Sequence, residues 1–211
     1  MKNKWIKMTA VAAFVGFSAS VQANPITLTS GQGSTSLAGV VLTESGGTLK
    51  QSLLNQTMTD TIGNDTGTFS SWVYSGDANN TLNGLTFVYS ITLTSGDIAH
   101  LSINGFGFPS SVIVGLDSSN GGLITPYQAN RSGAGGNPLD FDFGSFGSGT
   151  TVLIVVDTSI LNYQVQYALF QDGNQANSPA LAPNLPDGGA TVMLLGAALS
   201  AMGLLRRKLI A

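Results

Sequence analysis

The chain has 211 residues, of which 43% are hydrophobic and only 9% are charged. This length suits one folded domain with tails, and the charged fraction is far below the roughly 25% of typical globular proteins. Between positions 24 and 186 there are ten acidic residues and two basic ones, a net charge of −8. Such a body lacks the basic surface of nucleic-acid-binding proteins. The absence of cysteine excludes disulfides, thiolate metal sites and a cysteine nucleophile.

Residues 1–23 have the three parts of a secretory signal peptide. The basic start MKNKWIK is followed by the apolar run MTAVAAFVGFSAS, which is shorter than a membrane span. Val21 and Ala23 then occupy the small-residue positions that signal peptidase reads. We therefore expect an N-terminal signal helix, export through the secretion translocon, and cleavage after Ala23.

From Asn24 onward the sequence is typical of short strands separated by turns rich in Gly, Asn, Asp and Ser. The segments with alternating, β-branched or aromatic residues are 26–30, 68–74, 85–93, 98–103, 111–116, 151–156 and 163–170. No part of this region shows a sustained helical stripe of apolar residues. The pattern predicts an all-β body over 24–174, folded as an antiparallel β-sandwich or a jelly-roll-like barrel.

Two shorter features complete the prediction for the body. The hexapeptide ITLTSG occurs at Ile26–Gly31 and again at Ile91–Gly96, and two copies indicate two strands with similar turns rather than a repeat array. The segment QANSPALAPNLP (175–186) carries three spaced prolines. Because proline fixes an extended backbone and removes donors, we expect 175–186 to be a Pro-rich linker.

The candidates for catalysis are few. His100 is the only histidine, and a Ser-His-Asp triad would need it as the base; a histidine on a strand face is the more common role. Asp140 and Asp142 in LDFDFG would share one face of a strand, about 6.6 Å apart along its axis. Two such carboxylates suit a glycosidase pair or a solvated strand face, and nothing in the sequence indicates a large cleft.

The candidates for cation binding are equally weak. Asp140 and Asp142 could bind Ca²⁺, and the segments 117–122 and 172–177 place further oxygen ligands close together. Neither segment matches the EF-hand spacing or the calcium-binding nonapeptide repeat. Asp and Asn also form turns by bonding their own backbone. We therefore interpret both segments as turns and predict no metal, no cofactor and no catalytic residue.

Four aromatic residues suggest a second kind of site. Alternation places Trp72 with Tyr74, and Phe87 with Tyr89, on shared strand faces. Together these rings would form a platform on which sugars stack. Packing in the core or across strands is the commoner fate of such pairs, so a carbohydrate-binding module is the alternative rather than the leading interpretation.

The last 27 residues, LPDGGATVMLLGAALSAMGLLRRKLIA, join a turn, an apolar run and a basic cluster. As a helix, the 18 residues 188–205 span about 27 Å, close to the roughly 30 Å hydrocarbon core of a bilayer. Arg206, Arg207 and Lys208 would lie in the cytoplasm by the positive-inside rule. We therefore predict a single C-terminal transmembrane helix with the linker outside, the topology that an N-terminal export signal also requires.

This three-part tail resembles the VPDSG-CTERM sorting signal, a relative of the PEP-CTERM signals of Gram-negative and related bacteria. The proposed recognition turn is Leu185, Pro186, Asp187, Gly188 and Gly189. Leu185 stands where the family favours Val, and Gly188 where the family name has Ser. The body is more loosely similar to PEP-CTERM secreted proteins in the segments FSSWVY, LNGLTFVYSI and NRSGAGG…FDF.

The resemblance implies a processing route rather than an activity. An exosortase, a membrane-embedded Cys-His protease or transpeptidase, would remove or exchange the tail near Pro186–Asp187. The precursor would sit in the inner membrane, and the body would then reach the cell surface or the extracellular polysaccharide. LPDGG also differs from the sortase motif LPxTG at Gly188 only, but the missing threonine argues against a sortase substrate. The expected protein is an exported, non-enzymatic surface or matrix protein; a secreted glycan hydrolase is the weakest alternative.

Overall fold

The computed structural model describes residues 25–37, 42–60, 64–107, 109, 111–117, 126–131, 137–144, 147–184, 195 and 199. The signal peptide with Val21 and Ala23, the motif at 185–189 and the basic cluster at 206–208 lie outside the described residues and stay predictions. Within the described ranges, no helix is long and apolar enough to cross a membrane.

The described residues form twelve β-strands. They are β1 (Ile26–Thr29), β2 (Thr35–Ser36), β3 (Thr48–Thr59), β4 (Thr66–Ser75), β5 (Leu85–Ser95), β6 (His100–Ile103), β7 (Ser111–Leu116), β8 (Pro126–Asn130), β9 (Leu139–Phe143), β10 (Thr151–Thr158), β11 (Tyr163–Asp172) and β12 (Asn174–Pro183). They make two six-stranded antiparallel sheets, ordered β1-β7-β10-β5-β4-β3 and β12-β11-β6-β9-β8-β2. We call them the first and the second sheet. The predicted all-β, antiparallel body is confirmed.

The core lies between the two sheets and follows the alternation of their strands. Phe87, Tyr89 and Ile91 of β5 are fully buried. Phe69 of the first sheet stacks on Tyr89 at 5.9 Å and meets Phe170 of the second sheet edge-on at 5.3 Å. Full burial of one such side chain stabilises the fold by about 1.5–3 kcal/mol, so these aromatic contacts hold the sheets together.

The repeated ITLTSG segments end two strands, as predicted. Ile26–Thr29 is β1 and the second copy forms the last part of β5. Each copy ends in a glycine in the left-handed region, Gly31 with φ of 78° and Gly96 with φ of 82°. Only glycine adopts this conformation without strain, so the shared hexapeptide encodes a strand and the turn that ends it.

Strand β3 was not predicted. It lies at the edge of the first sheet and is mostly exposed. Its pairing with β4 shifts between Leu49 and Gln51 and again between Leu53 and Gln56, and Asn55 has a positive φ of 50°. Each bulge moves the following side chains to the other face, which removes the alternation that identifies a strand in sequence.

The predicted linker at 175–186 is wrong over most of its length. Residues 174–183 form β12, which pairs with β11 along its whole length, with Gly173 in the turn between them. The β body therefore extends to Pro183 rather than ending at 174. Four apolar side chains of β12 join the core: Ala176, Ala180, Leu181 and Ala182.

The prolines of β12 do not interrupt its pairing because they lie on the free edge of the sheet. The backbone N–H of Leu181 donates to Ser71 Oγ at 3.1 Å, and its carbonyl accepts from the Tyr89 hydroxyl at 2.7 Å. Both groups of Leu181 thus point away from β11. Since backbone direction alternates along a strand, Pro179 and Pro183 face the same way, where no ladder donor is needed.

Candidate functional site

Two polar pairs lie side by side on the outer face of the second sheet. In the register of β6 and β9, His100 is opposite Asp142 and Ser102 is opposite Asp140. His100 Nδ1 lies 2.5 Å from Asp142 Oδ1, and Ser102 Oγ donates to Asp140 Oδ1 at 2.5 Å. The residues between them, such as Phe141, are buried in the core. Strand alternation therefore turns all four polar side chains outward.

The neighbouring strands extend this surface. Gln128 and Asn130 of β8 are opposite Asp142 and Asp140, and Gln171 of β11 is opposite His100. We call this surface the polar face; its residues are His100, Ser102, Gln128, Asn130, Asp140, Asp142 and Gln171. Tyr167 is 61% exposed and shares the strand face of Gln171. The polar face thus combines hydrogen-bonding groups with one exposed aromatic ring.

The geometry at His100 differs from that of a catalytic triad. Asp142 is hydrogen-bonded to Nδ1 of His100, as the acid of a triad would be, but the Ser102 hydroxyl donates to Asp140. A nucleophilic serine must instead donate to the histidine base. The sequence analysis singled out His100, Asp140 and Asp142, and the structure brings them together through a strand register that the sequence did not reveal.

The predicted carboxylate pair, Asp140 and Asp142, lies on an open sheet face. A small cavity of about 10 Å³ is found elsewhere, at the end of the sandwich, where its lining includes Asp60, Asp65 and Asp172. That cavity is lined by neither Asp140 nor Asp142, whereas the carboxylates of a glycosidase flank a bound sugar bond.

The two segments considered for calcium binding, 117–122 and 172–177, have different outcomes in the structure. Gly173, with φ of 74°, makes the turn between Asp172 and Asn174, which pair with each other across β11 and β12. The predicted turn is therefore confirmed at 172–174 only, because residues 174–177 begin strand β12. In the segment 117–122 only Asp117 belongs to the described residues. Among the side chains that the structure describes, no group of three or more His, Cys, Asp or Glu could hold a metal ion.

The predicted four-ring platform does not form, because the rings lie on opposite faces of the first sheet. Phe87 and Tyr89 are fully buried in the core, and burial raises the pKa of the Tyr89 hydroxyl well above its usual value. Trp72 and Tyr74 lie on the outer face, half-buried. They pack against a small outer cluster of Leu42, Val88, Ile113 and Val155, so part of their surface is used for packing.

One polar residue under this outer cluster was missed by the sequence analysis. Asp157 of β10 is fully buried, and the Thr86 hydroxyl donates to its Oδ1 at 2.8 Å. Burial raises the pKa of the Asp157 carboxyl to about 6, and the charge of nearby Asp77 adds to the increase. The sequence did contain a signal for this buried carboxylate: Asp157 directly follows the apolar run TVLIVV, and the buried strand formed by that run includes it.

The described residues therefore present an open polar face with one aromatic ring, and a separate buried acidic network. Polar groups of this kind suit hydrogen bonds to hydroxyl-rich ligands, and an exposed tyrosine suits stacking on an apolar ring face. No protein-family model, no curated protein and no solved structure matches the chain.

Proposed function

We propose that this protein is an exported, non-enzymatic cell-surface or extracellular-matrix protein whose C-terminal segment is a sorting signal. The observation that carries the proposal is the order of the tail: an LPDGG turn, an uncharged run over 190–205, and the basic cluster RRK. A signal-peptide pattern at the other end of the chain supports export. The acidic, cysteine-free sandwich between them is the delivered part.

The route follows from the positions of these segments. Signal peptidase cuts after Ala23, and the segment 190–205 holds the precursor in the inner membrane with its C-terminus in the cytoplasm. An exosortase-like protease then acts near Pro186–Asp187. Strand β12 ends at Pro183, and the N–H of Asn184 still donates to the Asn162 carbonyl at 2.9 Å. The motif thus begins directly after the folded body, so the protease must work close to it.

Intact-mass analysis of the protein from a host that contains an exosortase tests this proposal. We expect a mass that lacks residues 1–23 and the tail beyond the motif. A Pro186→Ala/Asp187→Ala variant should keep its tail. Pro183→Ala, three residues away on the free edge of β12, is the matched control and should be processed normally. A surface protein that still ends at Ala211 would reduce the tail to a permanent anchor and refute the sorting role.

Binding of extracellular polysaccharide through the polar face is the second candidate function. The exposed ring of Tyr167 on the same sheet face as the carboxylate and amide groups favours it, because sugars are bound by stacking together with hydrogen bonds to hydroxyls. In this proposal Asp140 and Asp142 are hydrogen-bonding groups and have no catalytic role. The rings Trp72 and Tyr74, on the other sheet, offer a competing surface.

A polysaccharide pull-down with paired variants distinguishes the two surfaces. We expect Tyr167→Ala to weaken binding about 5- to 30-fold, since stacking and hydrogen bonding of one such residue contribute about 1–2 kcal/mol. Trp72→Ala is the matched control and should bind like the parent protein. Loss of binding in Trp72→Ala alone would place the sugar on the first sheet, and equal binding of all three proteins would contradict an aromatic sugar site.

A further inference from the structure

Two carboxylates are buried at the same end of the first sheet, where β4 and β10 end. Asp157 is 0% exposed and Asp77 is 7% exposed. Asp77 Oδ1 accepts the backbone N–H groups of Ser45 and Asn79 at 3.0 and 2.9 Å, and Asp157 Oδ1 accepts the Thr86 hydroxyl. The second oxygen of each carboxylate, Oδ2, is buried and has no hydrogen-bond partner.

Asn80 bonds both the Asp77 backbone and the hydrogen-bond partner of the Asp157 carboxylate. Its backbone N–H donates to the Asp77 carbonyl at 3.2 Å. Its side-chain amide donates to Thr86 Oγ1 at 3.2 Å and to the Thr158 carbonyl at 3.3 Å. Thr86 bonds Asp157, and Thr158 is the next residue in β10. The charge of Asp77 also contributes to the raised pKa of the Asp157 carboxyl, so the two groups lie near each other.

The network lacks a counter-charge. Neither Asp77 nor Asp157 has an ion-pair partner among the described residues. Of the two bases in the body, Lys50 is exposed, and Arg131 donates to backbone carbonyls in the distant segment around Leu28. A buried carboxylate without a partner costs several kcal/mol, so two adjacent ones call for a cation.

We infer that a calcium ion binds between Asp77 and Asp157, coordinated by their two unpartnered oxygens. Its double charge neutralises both carboxylates. The two carboxylate oxygens suit Ca²⁺, which accepts an irregular set of carboxylate, carbonyl and water ligands. Mg²⁺ fits less well because it requires near-octahedral geometry and keeps most of its water. The inference does not depend on the sorting signal or on sugar binding.

Calcium at this position would fasten the loop 76–84 to the sheet. Asp77 and Asn80 belong to this loop, whereas Asp157 belongs to β10. The same loop carries Leu82, which packs on the outer apolar cluster beside Trp72 and Tyr74. The ion would therefore order one whole surface of the first sheet, with the weak affinity of extracellular calcium modules, a Kd of about 10⁻⁴–10⁻³ M.

Thermal unfolding of the full-length chain in mild detergent tests the site. The protein is stripped with EDTA and then melted with and without about 10 mM Ca²⁺, roughly ten to a hundred times the expected Kd. We expect the midpoint temperature, Tm, to rise by about 3–10 °C. The same concentration of Mg²⁺ should change it little. Calorimetric titration at 25 °C gives a second readout that does not depend on unfolding.

Asparagine variants locate the ion. Asp157→Asn and Asp77→Asn each keep the Oδ1 acceptor and replace the unpartnered oxygen, so both should abolish the calcium effect. Asp60→Asn is the matched control. Asp60 is also buried with an unpartnered Oδ2, but it lies before the start of β4, whereas Asp77 follows the end of β4. The length of that strand, about 33 Å, separates the two ends. No shift in the parent protein, or an undiminished shift in Asp157→Asn and Asp77→Asn, would overturn the inference.

Discussion

Asp157 shows how one buried side chain sets the response of the whole fold to pH. In the absence of a cation its pKa is about 6 in the folded protein, against a usual 3.8. Between these values the folded state holds more protons than the unfolded state, so the free energy of unfolding falls as pH rises. The loss is complete above about pH 6 and amounts to about 3 kcal/mol.

We therefore predict that Asp157→Asn stabilises the calcium-free protein at pH 7 and flattens its stability between pH 4 and pH 6. Urea unfolding in EDTA at several pH values measures both effects. Thr86→Val removes the hydrogen bond that lowers the pKa of Asp157, so it should move the fall in stability to higher pH. An unchanged slope between pH 4 and pH 6 in Asp157→Asn would contradict the assignment.

Arg131 is the opposite case, a buried base that is satisfied by backbone oxygens. Its guanidinium donates to the carbonyls of Leu28, Phe106 and Pro109 at 3.1, 2.5 and 2.8 Å. These carbonyls come from two separate parts of the chain, β1 and the connection between β6 and β7, so the side chain joins them at one point. One of the two bases of the body thus has a structural role.

At the scale of elements, β12 determines where the folded body ends. It closes one edge of the second sheet and contributes Leu181 to the core. The side chains of Ser71 and Tyr89, both from the first sheet, bond its free edge. Removal of β12 would uncover core residues of both sheets and would leave these buried polar groups without partners.

We predict that a chain of residues 24–184 folds and that a chain of residues 24–174 does not. The shorter chain loses the buried side chains of β12 and its ladder with β11. We expect the free energy lost to exceed the net folding free energy of a typical domain, about 5–15 kcal/mol. Circular dichroism melts of the two proteins measure this. Equal cooperative transitions would show that 175–184 is only a linker, as its prolines suggested.

At the scale of the whole molecule, the two outer faces of the sandwich differ. The first sheet is covered by the loop at 76–84 and by Leu42, which pack on Trp72 and Val155. The second sheet leaves its polar face open, with Tyr167 exposed beside it. A large ligand would meet the polar face of the second sheet directly, whereas on the first sheet it would meet the outer apolar cluster, to which the loop at 76–84 contributes Leu82.

Much of the sandwich could be predicted because its central strands are buried on a regular alternation. The apolar run at 151–156 and the aromatic run at 85–93 became β10 and β5 near the expected bounds. The irregular strands could not be predicted in the same way. Bulges hide the periodicity of β3, and the prolines of β12 are compatible with a strand only at an unpaired edge, which is a property of the assembled sheet.

The sequence by itself determined the fold class, the acidic character of the body, the exclusion of cysteine chemistry, and the patterns at both ends that predict export and sorting. Only the tertiary structure decided which polar groups meet. His100 and Asp142 are 42 residues apart in the chain, and Thr86 and Asp157 are 71 apart. Local patterns encode which way a side chain faces on its own strand. The partner across the sheet depends on long-range register, which is set by the packing of the whole core.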